Sequence, residues 1–273
     1  MKYIDIHSHI NIDPLLGNKD EVIKRMLEQE VGTIIIGTDF NLSQIALGLA
    51  KEYDFIYAGV GLHPNDNLSE EFNYEKYLAL AKNEKVVCIG ETGLDYFRNE
   101  GEENKIRQKE IFKRHIELAI EVNKPLMIHA RPSKGSMPVR PNEVGHSGGD
   151  AYIDALDILE IYKKDNPMLH ANFHFFVGDL EIAKRILKNN WTVSFDGPIT
   201  FARDYDEVIK FLPIENIMCE TDAPFAAPVP HRGKTCEPYM VIEIYKKIAE
   251  IKGLDLETTT SKIRENVKRV FRF

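Results

Sequence analysis

A single (β/α)8 barrel of the TIM type, extended by extra C-terminal helices, is the fold class that this sequence predicts. Three observations predict it. Eight short runs rich in Val, Ile, Tyr and Phe recur along the chain, and amphipathic helical patterns fall between them. The length, 273 residues, is close to the roughly 250 that such a barrel uses as one domain. Strands that alternate with helices pair in parallel through right-handed crossovers, and closing the sheet accounts for all eight. A doubly wound open sheet is the alternative. Residues 1–273 read as one domain, with no repeat, coiled coil or low-complexity tract.

The predicted strands lie near residues 3–9, 33–37, 55–61, 85–90, 125–130, 169–175, 191–195 and 216–220. Helical spacing is clear between them. "DEVIKRMLEQE" places Val22, Ile23, Met26 and Leu27 on one face, and "IRQKEIFKRHIELAIEVN" does the same with Ile106, Ile111, His115, Leu118 and Val122. "DLEIAKRILKN" opens on a capping residue, Asp179, and carries Ile182, Ile186 and Leu187. Two helices, near 236–251 and 257–269, follow the last strand. One stretch breaks the rhythm: "RPSKGSMPVRPNEVGHSGG", residues 131–149, has three prolines and four glycines and is too long for an ordinary strand-to-helix loop. It follows the fifth strand, so it reads as an insertion on the active-site rim, either a lid or a tolerated surface loop.

Composition narrows the partners. Lys and Arg number 35 against 43 Asp and Glu, a net charge of -8 that argues against non-specific coating of nucleic acid but not against a locally positive pocket. No run of about 18 apolar residues predicts a membrane span, and the N-terminus reads as a strand rather than a signal peptide. Cys88, Cys219 and Cys236 form no C-x-x-C pair, and the odd count predicts a reducing, cytoplasmic location. No obligate protein partner is evident.

The chemistry lies at the strand ends. The first strand ends in His7 and His9, the third runs into "GLHP" with His63, and the fourth ends "IGETGLDY" with Glu91. The fifth ends "MIHAR" with His129, the sixth "FHFF" with His174, and the eighth "CETDAPF" with Asp222. In a barrel these ends converge on one face, where sites are built. Residues two apart share a face of a strand. Asp5, His7 and His9 are therefore expected to face the barrel mouth, and Ile4 and Ile6 the helix layer. Glu220 and Asp222 share a face in the same way, as do His170, Asn172 and His174.

Converging histidines and carboxylates are divalent-metal chemistry. Six ligands exceed one tetrahedral site, and a carboxylate can bridge two ions, which points to a two-metal hydrolytic centre. Each residue also has an ordinary reading: a lone H-x-H is weak, His115 and His170 read as packed or surface histidines, and His146 and His231 read as loop residues. Co-location at one end of different strands favours the site. Arg131, which shares a face with His129, together with Arg232, Tyr96 and Arg98, are candidates to bind substrate; Arg suits phosphate because its planar fork engages two oxygens. The ordinary reading of each is an exposed loop residue.

"DIHSHI", "GLHP", "GETGLDY", "IHAR", a His-aromatic element on the sixth strand and "ETDAPFAAPVPHRGK" together resemble the TatD family of metal-dependent deoxyribonucleases, among the amidohydrolase-like barrels. The resemblance spans nearly the whole chain, in order. It implies one metal site from His7, His9, Glu91 and Asp222 and a second from Glu91, His129 and His174, with Glu91 bridging. It also implies that His63 lies near the substrate phosphate. The sequence departs from the family pattern in "HFF" after the sixth strand, in "CEP" with Cys236 and Glu237, and in the 131–149 insertion. The ligands survive all three departures; substrate choice is what they bear on.

The expected function is hydrolysis of a phosphodiester by a water activated between two divalent ions (Mg, Mn or Zn), with Asp222 taking the proton. His63, Arg131 or Arg232 would hold the phosphate or assist the leaving oxygen. Asp5 and Glu220 are expected behind the ligands, Asp5 orienting an imidazole. Two ions bring +4 and Glu91 and Asp222 subtract two, so a chain of net charge -8 holds an anionic end at one point and rejects long duplex. Single-stranded DNA or a strand terminus, cut from the 3′ end, is the expected substrate. Two alternatives remain: the same centre acting on another ester, a lactone or an amide, and a non-catalytic metal-binding barrel.

Overall fold

The computed structural model describes residues 1–65, 70–98, 100–136 and 149–273. Most of the proline- and glycine-rich insertion, residues 137–148, lies outside the described residues. The strands are β1 (Tyr3–Ser8), β2 (Val31–Ile36), β3 (Ile56–Val60), β4 (Val86–Asp95), β5 (Leu126–Arg131), β6 (Ala171–Phe173), β7 (Thr192–Phe195) and β8 (Ile217–Cys219). The helices are α1 (Lys19–Glu28), α2 (Phe40–Glu52), α3 (Tyr74–Ala81), α4 (Glu102–Val122), α5 (Asp150–Asp165), α6 (Leu180–Lys188), α7 (Asp206–Phe211), α8 (Val241–Lys252) and α9 (Leu256–Phe271). The strands pair in parallel in chain order from β1 to β8, and a bridge between Ser8 and Ala223 closes the ring.

Local chemistry starts several helices where the pattern predicts. The Asp179 carboxylate accepts from the Ile182 N–H, and Asp39 and Asp255 cap α2 and α9 in the same way. The apolar faces are also close to expectation, with two exceptions. Leu27 on α1 and Ile106 on α4 are exposed, and Phe112 and Ile116 fill the α4 interface instead.

Two apolar clusters sort the strand faces. The larger lies between sheet and helices and takes Tyr3, Val31, Ile35, Ile89, Phe173 and Cys219. The smaller holds Ile4, Ile6, Ile34, Ile36, Cys88, Met127 and Met218 with Val267, Val270 and Phe271 from the end of α9. Side chains from β1, β2, β4, β5 and β8 meet in one small cluster only inside the barrel. The end of α9 is its floor: Phe273 stacks on Tyr57 of β3, ring centroids 3.7 Å apart, and Arg272 reaches the Asn123 carbonyl just before β5.

This overturns the expected facing of β1. Ile4 and Ile6 point into the barrel, and Asp5 points outward. A bulge between Asp5 and Ser8 explains how His7 still reaches the mouth: three steps along β1 oppose two along β2. The extra residue shifts the alternation, so Ile6 and His7 both face inward. A second bulge, between Ile89 and Thr92 of β4, sits beside Glu91.

Candidate metal centre and active site

The seam between β8 and β1 builds half of the site. The Asp222 N–H donates to the His7 carbonyl (3.0 Å) and the His9 N–H to the Ala223 carbonyl (2.7 Å). Asp5 completes the seam. Its carboxylate accepts from the His7 N–H, the Thr221 N–H and the Thr221 hydroxyl at 3.1, 3.0 and 2.6 Å. Asp5 therefore holds backbone rather than an imidazole, a correction to the role expected for it. His7 Nδ1 in fact has no hydrogen-bond partner.

On this seam His7 Nε2, His9 Nε2, Asp222 Oδ1 and Glu91 Oε2 converge. The imidazole nitrogens are 3.2 Å apart. His7 lies 3.4 Å from Glu91 and 3.7 Å from Asp222, and His9 lies 3.7 and 3.3 Å from the same two oxygens. Bonds of about 2.0–2.2 Å in a tetrahedron give edges of about 3.3–3.6 Å, so His7, His9 and Asp222 suit one divalent ion, with Glu91 Oε2 beside the two imidazoles. Asp222 adopts the left-handed backbone region, φ 53°, which Asp tolerates better than most residues. The other Glu91 oxygen, Oε1, lies 2.9 Å from His129 Nδ1, 2.9 Å from His174 Nε2 and 3.4 Å from His63 Nε2. The two oxygens of one buried carboxylate thus serve two adjacent donor groups.

The far side of each ring determines its role. His9 Nδ1 donates to the Ile36 carbonyl (2.9 Å), which leaves Nε2 a lone pair. His129 Nε2 donates to Asp95 Oδ2 (3.2 Å), leaving Nδ1 free to ligate. His174 Nδ1 makes no hydrogen bond, but it lies 3.4 Å from Glu220 Oε1, so Glu220 stands behind the His174 ring. His63 differs: its Nδ1 accepts the Asn65 N–H (3.1 Å), which puts its proton on Nε2. His63 therefore presents a donor to the site, not a metal lone pair. A backbone bond from Leu62 N–H to His115 Nε2 (3.0 Å) anchors that loop, and burial pushes His115 down to about 4.

The electrostatics fit cations. Burial would raise the Glu91 carboxyl, but the charges of His174 and His63 and hydrogen bonds from His129 and His174 hold it well below the usual carboxylate range. Burial opposes ionisation of Asp222 too, and the His9 hydrogen bond with the His7 and His9 charges overcomes it. Burial lowers His174, but Glu91 and Glu220 outweigh it and raise the imidazole well above its ordinary value. Protons on imidazoles here answer the same carboxylates that a metal would.

Gly93 matters to this packing. Its φ is 138°, and a Cβ there would overlap the His129 carbonyl oxygen, so glycine lets β4 carry Glu91 against β5. The site opens into a cavity of about 580 Å3 lined by His9, His63, Glu91, His129, His174 and Asp222, with Arg98 and Arg131 on its wall. Arg131 packs over the Phe97 ring at 4.1 Å.

Two expected substrate contacts are not brought here. Tyr96 is buried in the helix layer, 1% exposed, with its hydroxyl on Asp154 (2.8 Å), because the chain leaves the barrel after Asp95. Arg232 is exposed, stacks on Phe201 at 3.9 Å and does not line the cavity. Arg98, weighed with Tyr96 as a rim residue, does line the cavity, and Asp95 and Phe225 stand at the site with no sequence expectation attached to them. Asp95 follows Glu91 at an even spacing on the same strand, and that signal was available.

A model of the family described as TatD related DNase matches residues 4–272. The chain belongs to the TatD family. An uncharacterized metal-dependent hydrolase of Bacillus subtilis (strain 168), YabD, is 37% identical over 98% of both chains. A counterpart from Methanocaldococcus jannaschii, also named an uncharacterized metal-dependent hydrolase, is 31% identical over 100% of this chain and 98% of its own. Among solved structures, the TatD homolog YjjV from Escherichia coli K12 superposes with a TM-score of 0.82 at 23% identity, covering 100% of this chain and 98% of that one. This TatD chain is accordingly a metal-dependent hydrolase. No helix among its described residues is long and apolar enough to cross a membrane.

Proposed function

We propose that this TatD protein is a deoxyribonuclease that removes nucleotides from the 3′ end of single-stranded DNA, using two divalent ions. The observation that carries the proposal is the split of Glu91, one oxygen toward His7, His9 and Asp222 and the other toward His129 and His174. Ions held by these two groups would supply Lewis-acid activation of water and would offset charge on phosphoryl oxygens. The imidazole donors suit Zn, and the carboxylate donors suit Mg and Mn.

The chain's own residues complete the reading. Asp222 is the proton acceptor: its side chain is 15% exposed, against 4% for Glu91 and 0% for Glu220, so it alone of the three carboxylates meets solvent water. The His63 Nε2–H is placed to donate to a phosphoryl or leaving oxygen. Arg131 and Arg98 supply positive charge on the cavity wall, where a phosphate would enter. The family description, TatD related DNase, supports the choice of bond.

The test is a substrate panel with metal-reconstituted protein: 5′-labelled single strands, blunt duplexes, nicked circles, simple phosphodiesters, lactones and amides. Stepwise shortening of the single strand from its 3′ end, stopped by chelation, is the expected result. Lactone or amide turnover without nuclease activity would transfer the same centre to another bond. Equal cutting of internal duplex sites would refute the preference for ends.

A further inference from the structure

Phe225 is 54% exposed, although it lines the cavity beside His9, Glu91 and Asp222. Other exposed apolar side chains, such as Ile106 and Ile161, lie on the outer faces of helices α4 and α5. Exposure of a large ring at a cavity wall has no folding return, because burying such a side chain is worth about 1.5–3 kcal/mol.

The ring is not on a loose loop. The Phe225 N–H donates to the Asp222 carbonyl (2.9 Å), and the Cys236 N–H donates to the Pro224 carbonyl (3.1 Å). The Val229 N–H donates to the Thr200 hydroxyl (2.9 Å). Beneath it, Gly197 approaches Ala226 so closely that a Cβ would overlap the Ala226 carbonyl oxygen. The exposed ring therefore stands on a pedestal tied to the site's own ligand strand. Its centroid is 6.4 Å from that of His9. Arg98 and Arg131 contribute cationic groups to the same cavity. The donor cluster thus shares its cavity with both an aromatic platform and cations. A nucleotide has the matching parts, a flat apolar face and a phosphate joined through one sugar. At about 580 Å3 the cavity is the size of a small-ligand site.

We propose that Phe225 is the stacking platform for the base of the 3′-terminal nucleotide as it is released, so that the enzyme selects ends whose last base is unpaired. This rests on the nuclease reading above. Stacking is tolerant of sequence because every base has a π-face, so the platform selects for an unpaired base rather than for its identity.

The experiment compares wild type, Phe225→Ala and Phe225→Trp, each metal-loaded. The substrates are a single-stranded oligonucleotide, the same strand with an abasic 3′-terminal nucleotide, and one with an abasic penultimate nucleotide. Wild type is expected to lose about 10-fold in kcat/KM on the terminal abasic strand, mostly through KM. Phe225→Ala should lose about the same on the intact strand and nothing further on the terminal abasic strand, while Phe225→Trp stays within about 3-fold of wild type. Unchanged metal content and melting temperature would separate these effects from folding. Losses that multiply to about 100-fold, an unaffected Phe225→Ala, or sensitivity only at the penultimate base would overturn the stacking proposal alone. Failure of wild type to cut any of the strands would overturn the nuclease reading and this inference with it.

Discussion

Replacing Asp95 by Asn tests the site with almost no change of shape. Asp95 Oδ1 accepts two backbone N–H groups, from Phe97 and Arg98, both at 2.9 Å, and Oδ2 accepts from Asn65 Nδ2 (2.9 Å) and faces His129 Nε2 (3.2 Å). In the variant the amide oxygen must stay on the two backbone donors, so the NH2 group falls where Oδ2 was. Its hydrogens then oppose His129 Nε2–H. The ring answers by moving its proton to Nδ1, the atom that faces Glu91, and the lone pair that would ligate is lost. Loss of such a partner behind a ligand costs about 10–100-fold in metal affinity, or about 1.4–2.7 kcal/mol. The loss should fall on one ion only, because Asp95 touches nothing at His7, His9 or Asp222. Calorimetric titration of chelator-treated protein with Mn2+ should show two binding steps in wild type. In Asp95→Asn one step should weaken by that factor and the other should hold. Activity should return at high Mn2+. Two unchanged steps, or equal weakening of both, would refute the reasoning.

Three further outcomes are expected. Glu91→Gln, which removes the shared carboxylate, should leave at most one bound ion per chain by elemental analysis and lower kcat by about 1000-fold; retention of two ions would count against the bridging role. Without metal, burial opposes the charged forms of His9, His129 and His174, yet their carboxylate partners keep all three pKa values raised. Their contribution to the ion-free fold is complete below about pH 6.5 and is lost as pH rises through the folded values; the gain in melting temperature on adding Mn2+ should therefore grow from pH 6 to 8.5, and a constant gain would exclude these rings as ligands. Tyr96→Phe should leave kcat/KM unchanged and cost about 0.5–1.5 kcal/mol of stability in urea unfolding, since only the bond to Asp154 is lost.

Much of the barrel and its donor cluster was legible in the sequence because both follow from local rules. Apolar runs of strand length alternating with amphipathic helices imply the parallel ring, and ligand-type residues at successive strand ends imply convergence. What stayed hidden depends on contacts between distant segments. The bulge at Asp5–Ser8 adds a residue that no period-two count can detect, and such a count puts Ile4 and Ile6 outside the barrel and Asp5 at its mouth. Asp5 instead takes its role from Thr221, across the seam. Tyr96 follows a functional strand directly, but the chain has already turned outward there, and the ring settles among helices. The floor supplied by Val267, Val270 and Phe271 is equally invisible locally, since these residues read as an ordinary helical stripe.

The closing seam has a consequence for how the molecule comes together. Asp5 and Thr221 are 216 positions apart, yet they join within the same few ångströms that bring His7 and His9 to Asp222. An ion held by those three residues would be a rivet across the seam that closes the ring. Its affinity adds directly to the stability of the closed ring, by mass action. A chain still emerging from the ribosome has His7 and His9 early but lacks Asp222 until the eighth strand arrives. That half of the centre cannot form before the eighth strand meets the first, so metal capture by this group of residues would report closure of the ring.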